Sequence, residues 1–221
     1  MRISKVLSLS FAVLGACASG YGQIYVNLSS WGGFPYDIDG QGGGGPFNSN
    51  ILSGPSQHVI ASNVTLYCDS VSQHTGIPST FEVTVDLLNV GGAHDSLDPW
   101  VIKNGFSEAA SWGGGALSST QITTAIQGVI WNLDGQIASG TMTSSDLLTA
   151  QFANYLLGDT VAHGTYITGY ARYDAGINYG PGGSNEGQTQ IGAAPTPEPT
   201  TLLALGLPLV ALARRRKLNR S

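Results

Sequence analysis

A helix that is apolar on more than one side has to be buried on more than one side, and this chain contains one. Ile122, Ile126, Val129 and Leu133 recur at i, i+4, i+7 and i+11, which is a single helical face. Gln127 and Trp131 lie one turn apart on the side away from that stripe. Thr120 is placed to cap the start, and Gly135 to end it. Such a helix needs other elements wrapped around it. Leu148, Phe152, Tyr155 and Leu156 form the stripe of a second helix, with Ser144 as its cap, Asp146 in its first turn and Gly158 as its stop. Segments His58 to Tyr67 and Phe81 to Leu88 alternate and are rich in β-branched residues, which predicts strands. Ile24 to Leu28 and Thr165 to Tyr173 read likewise, and Thr189 to Ile191 closes the sheet. Residues 29–57, with four glycines at 42–45, are expected as an exposed loop. The expected class is α+β: a mainly antiparallel β-sheet or sandwich with a two-helix insertion.

Charge narrows the functions open to such a domain. Only 10% of the 221 residues are charged, and most of the basic ones sit at the two ends. Between Gln23 and Thr196 there are 13 acids and only two bases, Lys103 and Arg172. Nucleic-acid binding requires a basic footprint, which is absent. An anionic membrane face is disfavoured for the same reason.

The two ends read as addresses. Residues 1–22 hold Arg2 and Lys5, an apolar run from Val6 to Ala16, and the small residues Ala16-Cys17-Ala18-Ser19-Gly20, the pattern of a signal peptide. Leu14-Gly15-Ala16-Cys17 also resembles a lipoprotein cleavage box, which leaves two routes of processing. The expected folded domain is 23–192, followed by a Pro-rich spacer over 193–200 and an apolar helix with a basic tail over 201–221. The apolar run Leu202 to Ala213 reaches only ~20 Å as a helix, short for a hydrocarbon core of ~30 Å, and Pro208 interrupts it. Arg214, Arg215, Arg216 and Lys217 after it form a cytoplasmic stop.

With Pro197-Glu198-Pro199 ahead of the apolar run, this tail closely resembles the PEP-CTERM sorting signal of Gram-negative bacteria. The resemblance covers about 25 residues. It implies an exosortase-type processing enzyme as partner. It also implies an intermediate held in the inner membrane by the C-terminal apolar sorting helix, then delivery to the cell surface or exopolysaccharide matrix.

Removal of the leader discards Cys17 and leaves Cys68 as the last cysteine of an exported chain. A leftover cysteine in an oxidising compartment is either a partner for another chain or a protected reactive thiol. It stands in Tyr67-Cys68-Asp69, at the end of a strand. With Gln127-Gly128-Val129-Ile130-Trp131 on the first helix, the pair resembles the thioester domain of bacterial surface adhesins, over residues 60–175. That family has a Cys on a strand and a Gln-x-Ala-Ile-Trp helix; here Val129 replaces the Ala, and the 59-residue separation is compact. The resemblance implies that Cys68 condenses with the Gln127 carboxamide, losing ammonia, and that a partner amine or hydroxyl attacks the product. Trp131 would shield the bond from water. The residues by themselves favour a buried Cys68 packing as a small hydrophobe, with Gln127 bonded to a nearby backbone group, over the thioester, and they also allow an intermolecular disulfide.

Other patterns are weaker. Asp37-Ile38-Asp39-Gly40 is half a calcium loop, lacking the further carboxylates, and reads as a solvated acidic turn. His94-Asp95-Ser96-Leu97-Asp98 has no diagnostic metal-ligand spacing. His58, His74, His94 and His163 are scattered with no nucleophile elbow, so a secreted hydrolase is unsupported. No cofactor is expected. Trp31, Trp100 and Trp112 fall in Gly-rich stretches, where exposed rings would stack on sugars. The expectation is therefore a non-enzymatic surface or matrix protein of the adhesin type. The alternative is a carbohydrate-binding matrix protein, with surface polysaccharide as partner and no thioester.

Overall fold

The structure is a computed structural model and describes residues 23–32, 36–42, 46–71, 77–90, 96–138, 140–175 and 189–195. Alternation of inward and outward side chains drives its sheet. In β1 (Ile24–Trp31), Ile24, Val26 and Leu28 turn inward. In β2 (Phe47–Ser53), Phe47, Ser49 and Ile51 are buried in the same rhythm. β3 (His58–Cys68) contributes Leu66 and Cys68, and β4 (Ser79–Leu87) contributes Phe81 and Val83. After a helical excursion come β5 (Tyr170–Asp174) and β6 (Gln190–Ala193). All pairings are antiparallel and the sheet closes on itself in the order β1-β2-β3-β6-β5-β4. A period of two leaves one face of each strand apolar, and closure gives those faces a common interior.

Three helices lie between β4 and β5: α1 (Asp98–Ser111), α2 (Ser119–Leu133) and α3 (Leu147–His163). They build a second core from Val101, Ile126, Ile130, Phe152 and Leu156, which also takes in Tyr67 and Ile191 from the outer face of the barrel. α2 is buried at every position from Thr124 to Trp131, as its two-sided apolarity predicts. It touches α1, α3 and β3.

The α+β class and the antiparallel sheet agree with expectation, and four details do not. The sheet is a closed barrel rather than an open sandwich. The expected loop over 29–57 contains β2, whose Phe47 and Ile51 are apolar enough to fill barrel positions despite the Gly-rich neighbourhood. The insertion has three helices, not two. α1 carries Gly105, whose added Cβ would lie 2.6 Å from Ile126 Cδ1, so the residue that lowers its helix propensity is the one that lets α1 approach α2. Helix ends also shift. Ser118, not Thr120, caps α2 in a reciprocal box with Gln121. Asp146, not Ser144, caps α3 by accepting from Thr149 N–H at 2.8 Å, and α3 runs through Gly158 to His163.

Among the described residues no helix is long and apolar enough to cross a membrane. The signal peptide, Cys17, Pro197, Glu198, Pro199, the apolar run and Arg214, Arg215, Arg216 and Lys217 lie outside the described residues.

β3 and β6 approach each other closely because Gly192 faces Leu66. A Cβ on Gly192 would lie 2.4 Å from Leu66 Cδ2 and 2.7 Å from the Thr65 carbonyl oxygen, and the second contact is backbone that cannot rotate away. Gly192→Ala is expected to lower stability by about 1–3 kcal/mol through overpacking, read as a lower midpoint in chemical denaturation. An unchanged midpoint would show that β6 can slide without cost.

Candidate functional site

The register of the barrel leaves the end of β3 without a strand on one flank. β2 pairs with β3 only as far as Phe47 opposite Leu66. Cys68, two residues on, still pairs with Gln190 of β6, but among the described residues no strand pairs with it on its other flank. The Asp69 N–H points toward β6, donating to the Thr189 carbonyl at 2.9 Å. By the alternation of an antiparallel ladder, the N–H and C=O of Cys68 point the other way, toward the place β2 has vacated.

Gln127 occupies that place. The Cys68 N–H donates to Gln127 Oε1 at 2.9 Å, and Gln127 Nε2 donates to the Cys68 carbonyl at 2.6 Å. One side-chain amide thus stands in for one residue of a missing strand. The clasp is dry: Cys68 is 0%, Gln127 1% and Trp131 3% exposed. Cys68 and Trp131 share the barrel-interior cluster, so Trp131 closes the same end of the barrel one turn along α2 from Gln127. Gly128 lets Ile38 cover the clasp from the far side; a Cβ there would lie 2.9 Å from Ile38 Cγ2. Asp37 and Asp39 hold that cover in place. Asp37 accepts from the Ser145 N–H at 2.9 Å, and Asp39 accepts from the Thr143 N–H at 2.7 Å. The acidic turn is a latch onto the segment preceding α3, and hydrogen bonding by Ser145 holds the Asp37 carboxyl below its usual range.

The structure therefore brings together Cys68, Gln127 and Trp131, 59 residues apart at the Cys–Gln step. Chemically, the clasp fixes the Gln127 carboxamide against the residue that bears the thiol, with a backbone N–H already polarising its carbonyl and bulk water shut out.

Beside the clasp lies an ionic cluster that the sequence analysis did not single out. Asp69 points to the outer face, where Arg172 Nε meets its carboxylate at 2.6 Å. Arg172 Nη2 also lies 3.6 Å from Asp134, the residue that ends α2. Asp98, buried at the start of α1, accepts from Ser96 Oγ. A cleft of about 460 Å³ opens there, lined by Leu88, Ser96, Leu97, Leu133, Asp134, Tyr166 and Arg172. Three carboxyls share one guanidinium. Burial pushes Asp98 up to about 6, against the opposing pull of the Ser96 hydrogen bond. Burial, followed by a hydrogen bond with Asp69, pushes Asp134 up to about 9. Asp134 is therefore the member pushed furthest toward the protonated form. One clue was available in the sequence: Arg172 is one of two bases in a strongly acidic body, and a guanidinium on a strand needs a carboxylate.

The remaining candidates are not assembled. Among the described residues no group of His, Cys, Asp and Glu could hold a metal ion. His74, His94 and Asp95 lie outside the described residues. His163 pairs with Asp159 on the surface of α3 at 2.7 Å, and His58 begins β3. Trp100 is a buried residue of α1 rather than a loop residue, and Trp112, at the end of α1, packs against Phe152 with centroids 5.5 Å apart. Comparison with protein-family models, with curated proteins and with solved structures found no match for this chain.

The cluster sets a pH dependence. A carboxyl whose folded value is raised binds more protons folded than unfolded, so its contribution is full below the unfolded value of about 3.8 and is lost as pH rises through the folded one. Thermal stability is expected to fall between about pH 5 and pH 8, and Asp134→Asn, which keeps a neutral hydrogen-bonding side chain, should flatten that fall. A midpoint that rises over this interval would show that Asp134 is ionised.

Proposed function

We propose that this is an exported surface or matrix protein of the PEP-CTERM type, and that its folded part is an abbreviated thioester domain in which Cys68 and Gln127 form an internal acyl bond. Its export rests on the leader and tail sequences: the n-region and small-residue cleavage site, Pro197-Glu198-Pro199, the short apolar run and the terminal arginines. The mechanism rests on one observation, the two-point clasp of the buried Gln127 carboxamide on the Cys68 backbone.

The chemistry follows from that placement. The Cys68 sulfur adds to the Gln127 side-chain carbonyl carbon, whose oxygen is held by the Cys68 N–H. The S–C bond forms, the C–N bond breaks, the thiol proton ends on the departing nitrogen, and ammonia leaves. The thioester persists because Trp131 and the barrel interior exclude water. A partner amine or hydroxyl then attacks the same carbon, the C–S bond breaks, and the sulfur recovers a proton from the nucleophile. The partner ends attached to the Gln127 side chain and Cys68 is a thiol again. This is a single-use covalent adhesion rather than turnover, so the protein is not an enzyme in this reading.

Intact mass of the mature exported protein tests it. The expected result is a deficit of one ammonia in the wild type, absent from Cys68→Ala and Gln127→Ala, and replaced by a gain of one methylamine on incubation with that amine. A wild-type mass equal to the plain chain, with Cys68 open to a thiol reagent, would refute the thioester.

A further inference from the structure

A second buried carboxamide stands beside the clasp. Gln190 on β6 is fully buried, and among the described residues neither its Nε2 nor its Oε1 has a hydrogen-bond partner. A buried polar atom without a partner is costly, so an amide left with two of them marks a position where a further group arrives. The register says which group. Gln190 is the direct cross-strand partner of Cys68. Opposed residues in an antiparallel pair present their side chains on the same face, with Cβ atoms about 4.5–5.5 Å apart. Cys68 faces the barrel interior, so the Gln190 side chain shares that inner face with the Cys68 thiol as its cross-strand neighbour, without a hydrogen bond to the sulfur in this resting state. Trp131 Nε1 also lacks a partner, but no strand register aligns it with Cys68.

We propose that Gln190 is the polarising residue of the acyl-transfer site, its Nε2 donating to the Cys68 sulfur whenever that atom takes up negative charge. The inference rests on the thioester reading above and adds a role that neither Cys68 nor Gln127 supplies. In the forming step the thiol must give up its proton before or as the S–C bond is made. In the opening step the electron pair of the breaking C–S bond returns to sulfur. Both leave a developing thiolate in a wall otherwise made of Leu66, Ala171 and Tyr173. Apolar surroundings oppose thiolate formation, and a neutral amide donor offsets this without adding a charge. The two glutamines then divide the work. Gln127, held on the strand flank, carries the acyl carbon, and Gln190, on the inner face, serves the sulfur.

The test uses the full mature protein with Gln190→Leu and, as a second apolar replacement of different shape, Gln190→Met. Methylamine incorporation, followed by intact mass, should slow by about 100- to 1,000-fold in both, the scale of losing one charge-stabilising donor. The melting temperature should hold or rise, because an orphaned amide has been replaced by an apolar group. The thiol that remains after methylamine treatment should react with a small alkylating reagent only at higher pH than in the wild type. Wild-type rates together with a wild-type pH profile in Gln190→Leu would overturn the role, as would peptide mapping that placed the acyl bond on Gln190 itself. If the wild type carries no ammonia deficit, the thioester reading fails on its own. The pH profile of the Cys68 thiol, then measurable without methylamine, still sustains or overturns the donor role of Gln190.

Discussion

One carboxamide completing a strand's hydrogen bonding is the contact on which the two halves of this molecule meet. The barrel would be left with an unsatisfied N–H and C=O at Cys68, because β2 starts too late to cover them. Buried peptide groups without partners are costly, and Gln127 removes that cost from a helix that belongs mainly to the other core. The same contact sets the rotation of α2. With Gln127 on the Cys68 flank, Trp131 must reach the barrel end and Ile126 must face α1 and α3. The closeness of Ile38 over Gly128 and of Gly105 over Ile126 follows, since a helix so placed leaves no room for side chains at its two crossing points.

How much of this can be read without coordinates depends on whether the relevant force is local. The strands around Ile24, Val64 and Phe81 declare themselves through alternation, and α2 through its stripe, because burial acts on each residue in turn. β2 does not, since Phe47-Asn48-Ser49-Asn50-Ile51 offers few apolar positions and its partners lie on either side in space. α1 stays hidden because Gly105 is poor for a helix and is explained only by α2. Gly158 misleads in the opposite sense: it resembles a stop, but α3 has its packing from Phe152 to Thr160 and continues past it. The association of Cys68 with Gln127 comes from the resemblance of their flanking residues to thioester domains, not from composition or spacing, and the missing strand that explains it has no signal in the sequence. Gln190 could not be singled out at all, because its significance is a matter of register.

The outer face beside the clasp has a different electrostatic character from the clasp itself. Asp69 follows Cys68 in sequence, but strand geometry sends it to the opposite face, so the ionic cluster and the Cys68 side chain lie on opposite faces of one sheet. Arg172 pairs with Asp69, while desolvation pushes the Asp134 carboxyl up. Such a cluster is weak as a source of stability, since buried charges recover little beyond their desolvation. It does fix the end of α2 against β5 through Arg172 and Asp134, which leaves the helix held at Gln127 and again two turns later.

Closure of the barrel has a consequence for life at high local concentration. A sheet with a free flank invites a neighbour's strand, and chains with so few charges have little repulsion to prevent it. Here the ring closes only in part: the short gap at Cys68 is filled from within by Gln127, but β3 meets β6 over Leu66–Cys68 alone, so residues 59–65 have no β6 partner among the described strands. The outer part of β3 is therefore the flank open to backbone templating when copies are crowded side by side, while the closed remainder of the ring is not.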